Sequence, residues 1–309
     1  MDILTQQLIN GLVLGSIYAL VALGYTMVYG ILELINFAHG ELVMVGALIS
    51  LAVIGALTGS GVGWSGGVIV LLGLLAAVIA CMALGFLIER IAYRPLRRAP
   101  RLAALITAIG VSIVLQNLAM LIWGKQYITF PPLLPVVRYE LAGAIISNLQ
   151  IFIMVLSCLL MIGLLLLVKK TRLGRAMRAT AQAQDIAGLM GINTNTIISV
   201  TFVIGAALAA VAGVMVSAYY GLAHYYMGFM LGLKAFTAAV LGGIGNIAGA
   251  MLGGLLLGLI ESLGAGYIGD ITGGFLGSHY QDVFAFFVLI LVLIFRPSGL
   301  LGERVVERA

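Results

Sequence analysis

Charge is what this sequence has least of: 9% of its 309 residues are Asp, Glu, Lys or Arg, against 62% that are hydrophobic. The mean hydropathy is +1.19. No water-soluble domain buries that much apolar surface, so the chain is read as an integral membrane protein. Cysteine is nearly absent. Cys81 and Cys158 both fall in apolar runs, where small core residues are expected rather than a disulfide or a metal pair. The histidines, His39, His224 and His279, are far apart in sequence. There is no G-x-x-x-x-G-K-[ST], no H-E-x-x-H and no Cys/His group at metal-ligand spacing, so no catalytic residue, metal site or nucleotide site is expected in this chain. The net charge of +5 does not indicate nucleic acid, because the basic residues gather beside apolar runs and report orientation.

What the sequence has in abundance is long uncharged runs, over 3–32, 42–88, 102–124, 141–168, 186–233 and 235–260. A spanning helix needs roughly 20 apolar residues, and these runs supply several. They are continuously apolar and rich in Leu, Ala and Gly, unlike the alternating segments of a β-barrel. The first lacks a basic leader and exceeds the roughly 7–15 apolar residues of a signal peptide, so it is retained as a span. The expected fold is all-α: a polytopic helical bundle of about 8 to 9 spans with broken or re-entrant helices, forming one transmembrane domain over 1–309.

Most Lys and Arg residues form three clusters: Arg90, Arg94, Arg97, Arg98 and Arg101; Lys169, Lys170, Arg172, Arg175 and Arg178; and Arg296, Arg304 and Arg308. The positive-inside rule places all three, and the C-terminus, on the cytoplasmic side, which requires an even number of crossings between neighbouring clusters. Spans at 102–124 and 149–168 satisfy the first interval and put "GKQYITFPPLLPVVRYELAG" outside. In the second interval, spans at 196–218 and 279–295 leave residues 229–264. As one helix these would be about 54 Å long, beyond a hydrocarbon core of about 30 Å. Two limbs are therefore expected, meeting at "GGIGN" (242–246) as short spans or a re-entrant hairpin.

A second interruption is "INFAHGE" (35–41). Each ionised side chain near a bilayer centre costs roughly 2.5 to 3.5 kcal/mol, yet Glu33, Asn36, His39 and Glu41 interrupt an apolar region. The stretch is either a cytoplasmic loop, which puts the N-terminus outside, or a helix break facing the bundle interior. "NFAHG" (36–40) and "NIAGA" (246–250) partly echo one another, and broken helices at corresponding places in two halves mark midplane sites in transporters. The expected translocation pathway is therefore Asn36, His39, Gly40, Glu41, Gly242, Gly243, Gly245 and Asn246, with glycines allowing tight backbone and polar side chains satisfying freed backbone groups. The acids that a gradient-driven carrier would use, Glu41, Glu261, Asp270 and Asp282, each lie near the end of an apolar run, where solvated interfacial placement is expected.

The segment "KKTRLGRAMRATAQAQDIAGLMGINTNT" begins with basic residues, continues as Ala-rich helix-forming sequence and stops at Gly191. Residues 169–195 are thus expected to form a cytoplasmic segment suited to docking a partner. It resembles the coupling loop of ABC importer permeases, whose E-A-A-x-x-x-G pattern appears here as "DIAGLMG" (185–191). Asp185 stands at the acidic position, Ala187 and Gly191 match, and Ile186 departs from the second Ala. Together with "NFAHGELVMVGA", "LGRAMRA", "GLMGIN" and "VLGGIGNIAGAMLGG", this makes the chain resemble the LivH-type permeases of branched-chain amino-acid ABC transporters over nearly its full length.

That resemblance implies a multi-pass protein of the bacterial inner membrane, paired with a homologous LivM-type permease and surrounded by lipid. It also implies a periplasmic binding protein that delivers Leu, Ile or Val, and two cytoplasmic ATPases. ATP is then used by the partners, and this chain binds no cofactor, no metal and no nucleic acid. Arg175, Arg178, Asp185, Ala187 and Gly191 become the ATPase-coupling residues. Related permeases carry urea, amides or other amino acids, and a gradient-driven carrier is the rival class. Gly249 with Gly253, and Gly254 with Gly258, stand at GxxxG spacing, so a close helix approach is expected there, inside the chain or at the permease seam.

Overall fold

Away from water a backbone must bond its own N–H and C=O groups, which turns long apolar runs into helices. The structure, a computed structural model, describes residues 2–61, 63–97, 99–133, 135–141, 143–273 and 280–302; Arg98, His279, Arg304 and Arg308 lie outside the described residues. The chain is a polytopic helical bundle in which seven described helices are long and apolar enough to cross a membrane.

In chain order, α1 is Asp2–Leu32, α2 His39–Gly59, α3 Gly66–Ile88, α4 Arg101–Trp123 and α5 Asn148–Lys170. There follow α6 (Arg172–Gln182), α7 (Gln184–Leu189), α8 (Thr194–Tyr220), α9 (Met227–Gly242), α10 (Ile247–Ile271) and α11 (Gln281–Phe295). After Ile88 the chain continues through a π-helical turn, Glu89–Tyr93, and a 3-10 turn, Arg94–Leu96, where Pro95 denies the α-helix a donor.

The run 229–264 divides as its length requires, into α9 and α10 on either side of 243–246. The all-α reading omits four short strands. β1 (Ile128–Thr129) pairs antiparallel with β4 (Leu222–Ala223), and β2 (Arg138–Leu141) with β3 (Ala144–Ser147). Pro131, Pro132 and Pro135 exclude helix from this connection, so its backbone groups pair across short ladders instead.

Contacts divide the chain into two compact units: Met1–Thr26, Val136–Met161 and Lys234–Ala309 in one, Met27–Pro135 and Ile162–Leu233 in the other. In the first, α10 presents two strips of small residues. A side chain on Gly254 would strike the backbone of Ala19, and one on Gly258 that of Gly15, so this strip receives α1. Gly249 and Gly253 lie equally close to Gly242 and Ala238 of α9. Both GxxxG strips therefore pack inside the chain, where close van der Waals contact replaces the hydrophobic drive that lipid removes.

The second unit is built on α2, α3 and α8. Gly46 meets Ala210, Gly213 meets Val43, Gly73 meets Ile54 and Gly85 meets Ala206. Cys81 is buried here, its thiol donating to the Leu42 carbonyl at 3.4 Å. Cys158 differs from the core placement expected of it. It is exposed on α5, because an apolar span has no need to turn a small thiol inward.

Candidate functional site

The break after α1 is made by Glu33, the one non-glycine residue with positive φ among the described residues, at +52°. α2 then begins at His39. Leu42 lies against Cys81, near the middle of the span Gly66–Leu96, and Val43 and Gly46 lie against the interior of α8. The first turn of α2 is therefore level with the inner part of its neighbours, well away from their ends.

Asn36, His39 and Glu41 are each no more than 2% exposed. Asn36 accepts a hydrogen bond from the Tyr93 hydroxyl at 2.8 Å. Glu41 Oε1 accepts from Ser112 Oγ at 2.9 Å and from Gln116 Nε2 at 2.7 Å. Its Oε2 has no hydrogen-bond partner among the described residues. A carboxylate in the first turn of a helix is favoured by the helix dipole.

Beside that carboxylate α9 begins. A Cβ on Gly228 would stand 2.6 Å from Glu41 Oε2, and one on Gly40 would stand 2.5 Å from the Gly228 carbonyl and 2.7 Å from the Gly232 Cα. Three glycines thus let two helix starts touch around a buried acid. Tyr93, Ser112, Gln116, Gly228 and Gly232 are absent from the sequence-derived set. Ser112 and Gln116 carried a readable signal, since polar residues four apart share one face of the largely apolar α4.

The turn at 242–246 has different partners. Gly243 and Gly245 have φ of +104° and +92°, values that glycine adopts freely. Asn246 accepts from the Gly249 amide at 3.0 Å, capping α10, and donates to the Leu301 carbonyl at 2.8 Å. Leu300 and Leu301 in turn donate to the carbonyls of Leu241 and Gly242, each at 2.9 Å. The segment after α11 is thereby laced to this turn. The two stretches that echo one another in sequence belong to different units.

The segment between α5 and α8 lies outside the spans. Thr171 caps α6 by accepting from the Gly174 amide at 3.0 Å. Gly174 lies against the carbonyls of Leu167 and Val168, and Met177 and Thr180 turn inward with it. Arg178 donates to the Val168 carbonyl, capping α5, while Arg175 is exposed. At the start of α7, Gln184 donates to the Ile31 carbonyl at 3.0 Å, with Asp185 exposed beside it.

Ala187 is buried, and the Ile192 amide donates back to its carbonyl at 3.0 Å, the closure of a Schellman motif with Gly191 in the left-handed position at φ +85°. A Cβ on Gly191 would meet nothing within 4 Å, so inside this chain glycine is required for its φ and not for space. Ile186, Leu189 and Met190 are 62%, 88% and 79% exposed.

The family model for the branched-chain amino acid transport system permease component matches residues 7–293. The chain belongs to this family. It is 51% identical over 307 residues to the high-affinity branched-chain amino acid transport system permease protein BraD of Pseudomonas aeruginosa, covering 98% of this chain and 97% of the relative. It is 48% identical over 309 residues to the permease protein LivH of Escherichia coli K12, again covering 98% and 97%. No solved structure matches it.

The structure of this permease corrects the solvated placement expected for Glu41 and Glu261, each 1% exposed, and leaves Asp282 in the first turn of α11 with its side chain 29% exposed. Glu261 Oε1 stands 2.7 Å from Lys234 Nζ. Asp282 Oδ1 is also 2.7 Å from Lys234, whose ammonium lies 5.8 Å from the centre of the Tyr18 ring. Ions in a low-dielectric interior must be paired, and the interface is too far from the middle of α10 to solvate Glu261. The side chain of Asp270 lies outside those described. Lys234 is absent from the sequence-derived set, although it is the single Lys or Arg between Arg178 and Arg296, which is itself a signal in a membrane segment.

Proposed function

We propose that this permease is the translocating subunit of an ATP-driven importer of branched-chain amino acids in the bacterial inner membrane. In this reading it works beside a homologous LivM-type permease, with a periplasmic binding protein outside and two ATPases inside, and its C-terminus is cytoplasmic. ATP is consumed by the partners. The carrying observation is the trio Ile186, Leu189 and Met190, exposed on a segment outside the spans. Large apolar side chains held out by a capped turn suit insertion into a groove of another protein.

The route from that surface to the pathway is short. α7 is tied to the end of α1 through Gln184 and Ile31, two residues before Glu33 opens the break. A push on α7 by the closing ATPases reaches the loop 33–38 directly and shifts α2 against α9 at the Gly40 and Gly228 contact. That is a shear between discrete helix packings, of the kind that changes which side of a cavity is open. Asn36, His39 and Glu41 offer polar groups for an amino-acid zwitterion beside apolar walls that suit a branched side chain. Gly242, Gly243, Gly245 and Asn246 form the second break of the pathway in this reading, with Asn246 holding the turn's shape.

The test is affinity purification of the tagged chain in mild detergent, with the partners identified by mass spectrometry. Recovery of a second permease and P-loop ATPases is expected. A chain that purifies alone, or only with proteins lacking a P-loop, would overturn the proposal.

A further inference from the structure

Where α3 passes into its π-helical turn, a cavity of about 320 Å³ opens beside the start of α8. That is within the range of small-ligand sites, about 300–1,000 Å³. One end is polar: Arg90 from the π-helical turn and Arg94 from the 3-10 turn after it, with Thr196 from the first turn of α8. The other is apolar, walled by Phe86, Val200 and Val203.

The charge here is not paired among the described residues, with Arg90 exposed and Arg94 partly buried. The nearest acid, Glu89, is fully buried and already holds Arg97 in an ion pair and the Ser199 hydroxyl at 2.6 Å. Arg90 and Arg94 have no acidic partner among the described residues. The two arginines, four apart, repel one another unless an anion lies between them. α8 is 27 residues long and directs the positive end of its dipole at the same place.

The surroundings select the anion. The cavity lies at the basic end of membrane-crossing helices, and the outer surface of α3 and its π-helical turn is apolar beside it, with Phe86, Leu87 and Ile91 exposed. A ligand with a phosphate at one end and a hydrocarbon chain at the other satisfies both ends of the cavity. Basic pockets between spans, on the side where anionic lipids are enriched, recognise such headgroups. We propose that this cavity is a binding site for an anionic phospholipid, its phosphate held by Arg90 and Arg94 and the start of α8, its acyl chain laid along Phe86, Val200 and Val203.

The experiment is native mass spectrometry of the purified permease complex, titrated separately with phosphatidylglycerol, phosphatidylcholine and inorganic phosphate. The parent should retain phosphatidylglycerol in preference to phosphatidylcholine. Each arginine contributes about a fivefold preference, so Arg90→Gln with Arg94→Gln should lose about 25-fold of it while phosphatidylcholine retention stays unchanged. Val203→Trp, which leaves the charges in place and fills the apolar end, should lower phosphatidylglycerol retention as well, and it carries the test alone if the double variant does not assemble. Equal retention by parent and variants would overturn the site. So would release of the lipid by inorganic phosphate alone, which would mark a simple anion site. Because partner recovery is measured separately, failure here leaves the transport proposal intact.

Discussion

Replacing Lys234 by methionine is expected to cost this permease about 3–5 kcal/mol of stability, the range found when one member of a buried ion pair is removed. Most of the loss is the penalty of leaving charge behind. Glu261 is almost wholly buried with its Oε2 unpaired even in the parent, and Asp282 relies on the same ammonium. Without Lys234, the buried Glu261 and the partly exposed Asp282 both lose the ammonium that pairs them among the described residues.

Thermal unfolding of the detergent-solubilised protein should therefore show a large fall in midpoint for Lys234→Met. The combination Lys234→Met, Glu261→Leu and Asp282→Asn should recover most of it, since apolar groups of similar size often replace a buried ion cluster at little cost. A single variant as stable as the parent would show that the three residues are not energetically coupled.

The second large effect is expected at the docking surface. Leu189→Ser combined with Met190→Ser should leave the fold within about 0.5 kcal/mol of the parent, because both side chains are mostly exposed and touch little of their own chain. Association with the ATPases should suffer far more. Burying a large apolar side chain contributes about 1.5–3 kcal/mol, so losing two should weaken docking by at least about a hundredfold. The measurement is the amount of ATPase recovered with the tagged permease, read beside the permease's own thermal midpoint. Full recovery of the ATPases in the double variant would remove this surface from the coupling mechanism.

The parts legible in the sequence were those governed by length and charge. A run too long for one crossing had to divide near 242–246, and it does. Polar residues packed into 33–41 had to mark an interruption, and they do. The helix expected to run to a stop at Gly191 is instead two, α6 and α7, parted at Ala183, whose backbone is extended, although the stop itself falls at Gly191. What stayed hidden depended on pairing across distance. Lys234 and Glu261 are 27 positions apart, and nothing in local periodicity says that their side chains meet. The same holds for Glu41 with Ser112 and Gln116, and for the strips of α10, whose glycines announce a close approach without naming α1 and α9 as the helices that make it. β1 and β4 are two-residue strands whose ladder joins segments nearly a hundred positions apart, too short to leave an alternating pattern.

Conduction of a branched-chain amino acid by this chain, under the control of ATP hydrolysed elsewhere, can be measured as uptake in proteoliposomes containing the complete complex. Labelled leucine and its binding protein are supplied on one side, and ATP is enclosed with the ATPases on the other. Accumulation is expected to need ATP and the binding protein together, and to collapse when the ATPases are left out although the permease remains in the membrane. Leucine uptake that continues at the same rate without the ATPases, driven by an ion gradient or by leucine's own, would contradict that dependence.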